Sequence, residues 1–185
     1  MRAVDIVVTV GWVAFWLYWL LAATTAKAGT NRWTRFAGFR IAIIIIVVLL
    51  VRLRVLKGHF GAAATTDPLL WGIGLAAFAL GLGLAVWARV YIGRNWGMPM
   101  TQKAEPELVT TGPYHRVRHP IYSGIILAMI GTAIAVSVYW LVAVALLGGY
   151  FIYSATREER YLTEQFPETY PAYKASTKML VPFIL

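Results

Sequence analysis

Polar positions are sparse and clustered along this chain, and the apolar stretches between them lay out its plan. Residues 6–23 form an uninterrupted apolar run with Trp12, Trp16, Tyr18 and Trp19, close to the ~20 residues a membrane-spanning helix needs. A second, isoleucine-rich run covers Ile41 to Leu56, with Arg52 and Arg54 in its last turns, from which they must snorkel to the interface. Thr66-Asp67-Pro68 then reads as a helix start, a side-chain cap followed by proline in the first turn. The span that follows, Leu69 to Tyr91, has Ala77, Gly81 and Ala85 four apart, a stripe of small residues that another helix can approach closely. From His119 to Thr156 there is no Lys, Arg, Asp or Glu in 38 residues. At ~1.5 Å per residue that is about 57 Å of helix, nearly two crossings of a ~30 Å hydrocarbon core. A hairpin turning near Ser137-Val138-Tyr139-Trp140 meets both the length and the lack of charge. The pattern predicts an all-α integral membrane bundle of about five transmembrane helices.

Composition supports this. Of 185 residues, 59% are hydrophobic and 14% charged, too apolar a balance for a soluble domain of this size. A cleaved leader is the rival reading of the first run, since Ala26-Lys27-Ala28 imitates a cleavage pattern, but the run exceeds the usual ~7–15 apolar residues. The net charge of +9 does not point to nucleic acid, because the 17 basic residues are scattered between apolar segments and form no single face. It reports topology instead. With five spans and a cytoplasmic C-terminus, 13 basic residues fall inside and only Arg2, Arg52, Arg54 and Lys57 outside, as the positive-inside rule requires. The loop before His119 and the tail then face the cytosol together, and the N-terminus lies on the opposite side. With no cysteine, disulfides, thiolate metal sites and a cysteine nucleophile are excluded. His59, His115 and His119 make no familiar metal motif, so no metal is expected.

Candidate chemistry gathers where the polar loop enters the charge-free stretch, at Gly112-Pro113-Tyr114-His115-Arg116-Val117-Arg118-His119-Pro120-Ile121-Tyr122-Ser123-Gly124. Pro113 and Pro120 bias the residues before them away from helix, and Pro120 suits the first turn of a new one. Arg118, His119 and Tyr122 thus stand at a helix N-terminus, where free N–H groups and a positive dipole end welcome an anion. Taken singly, His119 could simply cap the helix and Tyr122 could belong to an interfacial aromatic belt. At the other end of the hairpin the tail opens with Arg157-Glu158-Glu159-Arg160, two acids among bases at a membrane exit. A solvated, salt-bridged helix end is the plain reading of that pair. The hairpin, however, returns it to the interface that holds Arg118 and His119.

This arrangement resembles the isoprenylcysteine carboxyl methyltransferase and phospholipid methyltransferase family of membrane enzymes. The likeness covers roughly Gly93 to the C-terminus. It includes Asn95-Trp96, Leu108-Val109-Thr110-Thr111-Gly112-Pro113-Tyr114, Arg118 to Gly124, Glu158-Glu159 and Phe166-Pro167-Glu168-Thr169-Tyr170-Pro171-Ala172-Tyr173. The resemblance implies S-adenosylmethionine as cofactor, held in a cytosolic pocket formed by the 92–120 loop and the C-terminal helix. It assigns cofactor contacts to Pro106, Glu107, Leu108, Val109, Tyr114, His119, Pro120, Ile121, Tyr122 and Glu158, and catalytic roles to Glu158, Glu159, Arg118 and His119. It also implies a lipid-like or prenylated acceptor arriving from the bilayer. Residues 92–185 are then the cofactor-binding catalytic region, and 1–91, with three spans, a possible acceptor entrance. The isoprenylcysteine branch has an arginine one turn before the first glutamate of the pair, to handle the acceptor carboxylate; here that position is Ser154. A phospholipid amine is the alternative acceptor. The rival classes are a nicotinamide-dependent membrane reductase related to sterol reductases and a membrane protein without chemistry. The small-residue stripes fit intramolecular packing and dimerisation equally, leaving the oligomeric state open.

Overall fold

The computed structural model describes residues 2–23, 29–30, 64–96, 102–103 and 107–181. The second span expected at 41–56, nearly all of the 24–40 loop, and Pro106 lie outside the described residues. Five α-helices follow one another among those described: α1 (Ala3–Ala23), α2 (Pro68–Ile92), α3 (Pro120–Ala135), α4 (Trp140–Gln165) and α5 (Tyr170–Ser176). Two 3-10 turns, Gly93–Asn95 and Gly112–His115, punctuate the loops, and Gly29–Thr30 pairs antiparallel with Gln102–Lys103. Three stretches, Ala3–Ala22, Pro68–Asn95 and Trp140–Gln165, are long and apolar enough to cross a membrane. The fold is an all-helical membrane bundle, as the hydropathy pattern predicts.

Local signals set the helix limits. The Asp67 carboxylate accepts from Leu69 N–H at 2.8 Å with Pro68 in the first turn of α2, and Gly93, at φ 55°, closes the helix by donating to the Arg89 carbonyl. The hairpin turn falls at residues 136–139, where the sequence puts it. Its two arms are unequal. At 16 residues, α3 spans about 24 Å, short of a ~30 Å core, because Pro120 starts it and the chain leaves it for the turn after Ala135. Eleven of those 16 residues are buried, against three of 26 in α4, so α3 is the central post and α4 lies mostly on the outside.

The seam between α2 and α3 is backbone against backbone. A Cβ placed on Gly81 would fall 2.4 Å from Ala128 N, and one on Gly131 would fall 2.4 Å from Phe78 N. Only glycine permits that approach. Gly81 and Ala85 of the expected stripe are buried in the seam together with Gly74, whereas Ala77 is only half-buried. Phe78 turns to the other side of α2, where its ring meets Gly11 and packs edge-on against Trp12 at 5.6 Å. That aromatic contact joins α1 to the pair.

Each end of the bundle is tied by arginine. At one end, Arg2 pairs with Asp5 at 2.7 Å and donates to the carbonyls of Thr65 and Val136, joining α1 to the entry of α2 and the exit of α3. At the other, buried Arg89 donates to the carbonyls of Ala22 and Gly93 and lies 4.6 Å over the Trp96 ring. Its charge meets the negative dipole ends of two helices at once, an arrangement worth up to ~2 kcal/mol when partly buried. This second end carries the candidate site.

Candidate active site

The loop that enters α3 is held before it reaches the chemistry. Gly112 has φ 59°, and a Cβ there would strike the Tyr91 ring at 2.5 Å, so the turn needs glycine on both counts. Tyr91 also hydrogen-bonds Thr111 through its hydroxyl at 2.7 Å. Pro113 starts the 3-10 turn, and Tyr114, buried within it, receives a 2.6 Å hydrogen bond on its carbonyl from the Tyr173 hydroxyl. Burial pushes the Tyr114 phenol well up, which keeps it neutral.

Five of the residues singled out in the sequence then converge. Arg118 Nε donates to Glu159 Oε1 at 2.6 Å, and the Tyr122 hydroxyl donates to Glu158 Oε1 at 2.7 Å. His119 stands between the two acids, Nδ1 3.5 Å from Glu158 Oε2 and Nε2 3.5 Å from Glu159 Oε1. Its ring stacks on Tyr122 at 5.5 Å, and Tyr122 stacks in turn on Phe151 of α4 at 4.8 Å. Burial alone would favour the neutral imidazole. The two flanking carboxylates outweigh it and hold the His119 pKa above its ordinary value. His119, Arg118 and Lys174 therefore all stand against the two acids.

The two glutamates are not equivalent. The Glu158 side chain is 26% exposed, whereas that of Glu159 is 2% exposed and has a second cation, Lys174 Nζ of α5, at 2.8 Å from Oε2. Adjacent residues on a helix point about 100° apart, so one acid opens to the surface while the other is driven under α5.

Other expected site residues are more dispersed. Glu107 is exposed and accepts from Asn95 Nδ2 at 2.6 Å, while Leu108 and Val109 are half-buried. Pro120 and Ile121 are buried in the first turn of α3, and His115 is exposed. Ser154 is fully buried with its hydroxyl unpartnered, so the position that carries an arginine in the isoprenylcysteine branch faces neither solvent nor an opening. The N–H groups expected to be free near the start of α3 are partly spent: that of Arg118 donates to Lys178 O at 2.8 Å and that of His119 to Met179 O at 3.1 Å.

Those partners belong to a segment that sequence reasoning missed. After α5 the chain runs beside the loop, with Lys178 N–H donating to Arg116 O at 3.1 Å and Arg118 Nη1 donating to the carbonyls of Lys174 and Thr177. Burial, with Glu159 close by, pushes the Tyr173 phenol up to about 12. No periodicity or spacing pairs residue 174 with 159, and only the run through Tyr170 and Tyr173 marked the segment at all.

Chemically, the site offers a cation the accessible Glu158, while His119 stands buried between the two acids, its Nε2 3.5 Å from Glu159. The stacked rings of His119, Tyr122 and Phe151 wall it on one side. The amine and sulfonium of S-adenosylmethionine fit that acceptor at Glu158. A groove of about 670 Å³ between α1 and α2, lined by Ile6, Val10, Leu75, Phe78 and Leu82 among others, shares no residue with it.

Comparison with known proteins follows the same lines. A family model described as phospholipid methyltransferase matches residues 70–169, more than half of the chain. The cobalt-zinc-cadmium resistance protein CzcN of Cupriavidus metallidurans is 31% identical over 147 residues, covering 77% of this chain and 63% of that protein. The methanethiol S-methyltransferase of a Pseudomonas species is 32% identical over 123 residues, covering 60% of this chain and 47% of its own. Among solved structures, the eukaryotic intramembrane Ras methyltransferase ICMT, an isoprenylcysteine carboxyl methyltransferase, matches with a TM-score of 0.58 at 26% identity, over 84% of this chain and 55% of that one. The chain thus spans between about half and two thirds of the length of these relatives.

Proposed function

The chain belongs to the phospholipid methyltransferase family, and on that premise we propose that it moves a methyl group from S-adenosylmethionine to an amphiphilic acceptor at the membrane surface. The observation that carries the proposal is the meeting of His119 with Glu158 and of Arg118 with Glu159, 39 and 41 residues apart in sequence. When bound, the donor would supply an electrophilic methyl on a sulfonium, open to in-line displacement. The protein's task is then to align donor and acceptor and to exclude water. Glu158 would hold the donor's amine or sulfonium, with Tyr122 fixing the Glu158 carboxylate at 2.7 Å and His119 positioned behind it. The half-buried Leu108 and Val109, with Tyr114, would line the same pocket, and residues 1–91 would shape the entrance for the acceptor. Positive-inside bias supports a cytosolic site and tail.

The acceptor follows from what the site lacks. Arg118 and Lys174 are both committed to Glu159, and Ser154 is buried and neutral, so no cation among them is left to orient an acceptor carboxylate. An amine or a thiol suits the site better, and the S-methyltransferase among the relatives brings thiols within range. Either must lose a proton, and Glu158 is the carboxylate of the pair that an acceptor reaches. The test is to incubate the purified protein with labelled donor and either lipid extract or small thiols and to identify the labelled product. Calorimetry showing no binding of S-adenosylmethionine to the wild-type protein would overturn the proposal.

A further inference from the structure

Glu159 is the most deeply buried acid of the site, and both of its oxygens are engaged: Oε1 by Arg118 Nε at 2.6 Å and Oε2 by Lys174 Nζ at 2.8 Å. A carboxylate under two cations and out of reach of solvent is a poor proton acceptor and a good anchor. Its two cations come from different parts of the chain. Arg118 belongs to the loop that enters α3, and Lys174 to α5, whose continuation runs along that same loop.

The continuation is hydrogen-bonded at each step. Lys178 and Met179 accept from the N–H groups of Arg118 and His119, Lys178 donates back to Arg116, and the Ser123 hydroxyl donates to Leu180 O at 2.5 Å. Thr177 accepts from Arg118 Nη1 on its carbonyl and donates its own hydroxyl to Tyr173 O at 2.6 Å. The backbone at Arg118 and His119 is therefore gripped from the tail side by Lys178 and Met179, and their side chains from the α4 side by Glu159.

We propose that Glu159, Lys174 and the 177–180 segment form a positioning strap that fixes where the His119 imidazole stands against Glu158. This deepens the methyl-transfer reading and rests on it. Within the strap, Glu159 acts on the reaction through Arg118 and His119 and takes no part in bond making. Lys174 is the informative residue to change. Its side chain is 49% exposed, so removing it strands no buried cation, and Glu159, though it loses the partner on Oε2, keeps Arg118 on Oε1.

The experiment uses the full chain in lipid nanodiscs and titrates S-adenosylmethionine calorimetrically into wild type, Lys174→Met, Lys174→Arg and Ser123→Ala. Hydrogen exchange at the amides of Arg118, His119 and Lys178 and the unfolding midpoint are measured on the same samples. Lys174→Met should weaken binding about tenfold and speed exchange at those three amides, while Lys174→Arg, which restores the charge, should bind within about twofold of wild type. The midpoint should fall less than for Arg118→Ala, since Glu159 keeps one cation. Wild-type affinity in Lys174→Met, or failure of Lys174→Arg to recover it, would overturn the strap. Should Lys174→Met also lower the midpoint markedly, Ser123→Ala decides, since it cuts the link to Leu180 without touching a charge: unchanged binding there rejects the proposal. A wild-type protein that does not bind the donor defeats the functional reading instead, and the exchange rates still judge the strap by themselves.

Discussion

The two ends of the bundle solve the same problem with the same residue and end up with different chemistry. Arg2 reaches one carboxylate, Asp5, and two backbone carbonyls; Arg118 likewise reaches Glu159 and two backbone carbonyls. The Arg2–Asp5 pair spans three residues of one helix, and its side chains are 29% and 23% exposed, so water screens it. The Arg118–Glu159 pair joins residues 41 apart at 8% and 2% exposure. At the first end charge merely balances. At the second, His119 and Lys174 join Arg118 around the two glutamates, one of which stays accessible. Holding helices together requires no accessible acid, and Glu158 is what a cationic ligand group would use.

The largest test of this contrast is Arg118→Ala. Removing one partner of a buried pair leaves Glu159 without its nearest cation, and unfolding in mixed micelles should show a loss of about 3–5 kcal/mol. Glu158→Gln comes next. The side chain is partly exposed, so the fold should survive while S-adenosylmethionine binding weakens at least about tenfold, or ~1.4 kcal/mol, by calorimetry.

A pH series gives a smaller effect of known sign. The folded pKa of His119 lies above its unfolded value of ~6.5, so the stability from its charged form is fully present below that pH and is lost as pH rises through the raised value. The groups around the imidazole are Glu158, Glu159, Arg118, Lys174 and Tyr122. Melting curves should show wild type losing stability above pH ~6.5 relative to His119→Asn, which lacks that slope. Arg2→Ala should cost least, about 1 kcal/mol or below in the same micelles. An Arg2→Ala loss equal to that of Arg118→Ala would break the comparison between the ends.

How much of this was legible in the sequence depended on the range of the signal. The return of Glu158 to His119 followed from counting a charge-free stretch, because hydrocarbon thickness constrains length. The α2–α3 seam was visible as small residues four apart, although Gly74 proved to belong to it more than Ala77, since a real helix advances 3.6 residues per turn and a four-residue stripe drifts. The shortness of α3 was not legible, because hydropathy does not register where the chain turns within an apolar run. The strap was missed for a different reason. Lys174 and residues 177–180 are polar or mixed and periodic with nothing; Lys174 gains its meaning from the Glu159 carboxylate, and Lys178 and Met179 from backbone groups 60 residues away.

The seating of Lys178 and Met179 against Arg118 and His119 also orders events in time. A nascent chain that has exposed only residues up to 176 already holds every residue of α1 to α5, His119 and Glu158 among them. It lacks the carbonyls that the amides of residues 118 and 119 need, and those amides stay open to water. The segment that holds the loop before α3 is thus made after every helix it serves, and the strap can close only once residues 177–180 have followed.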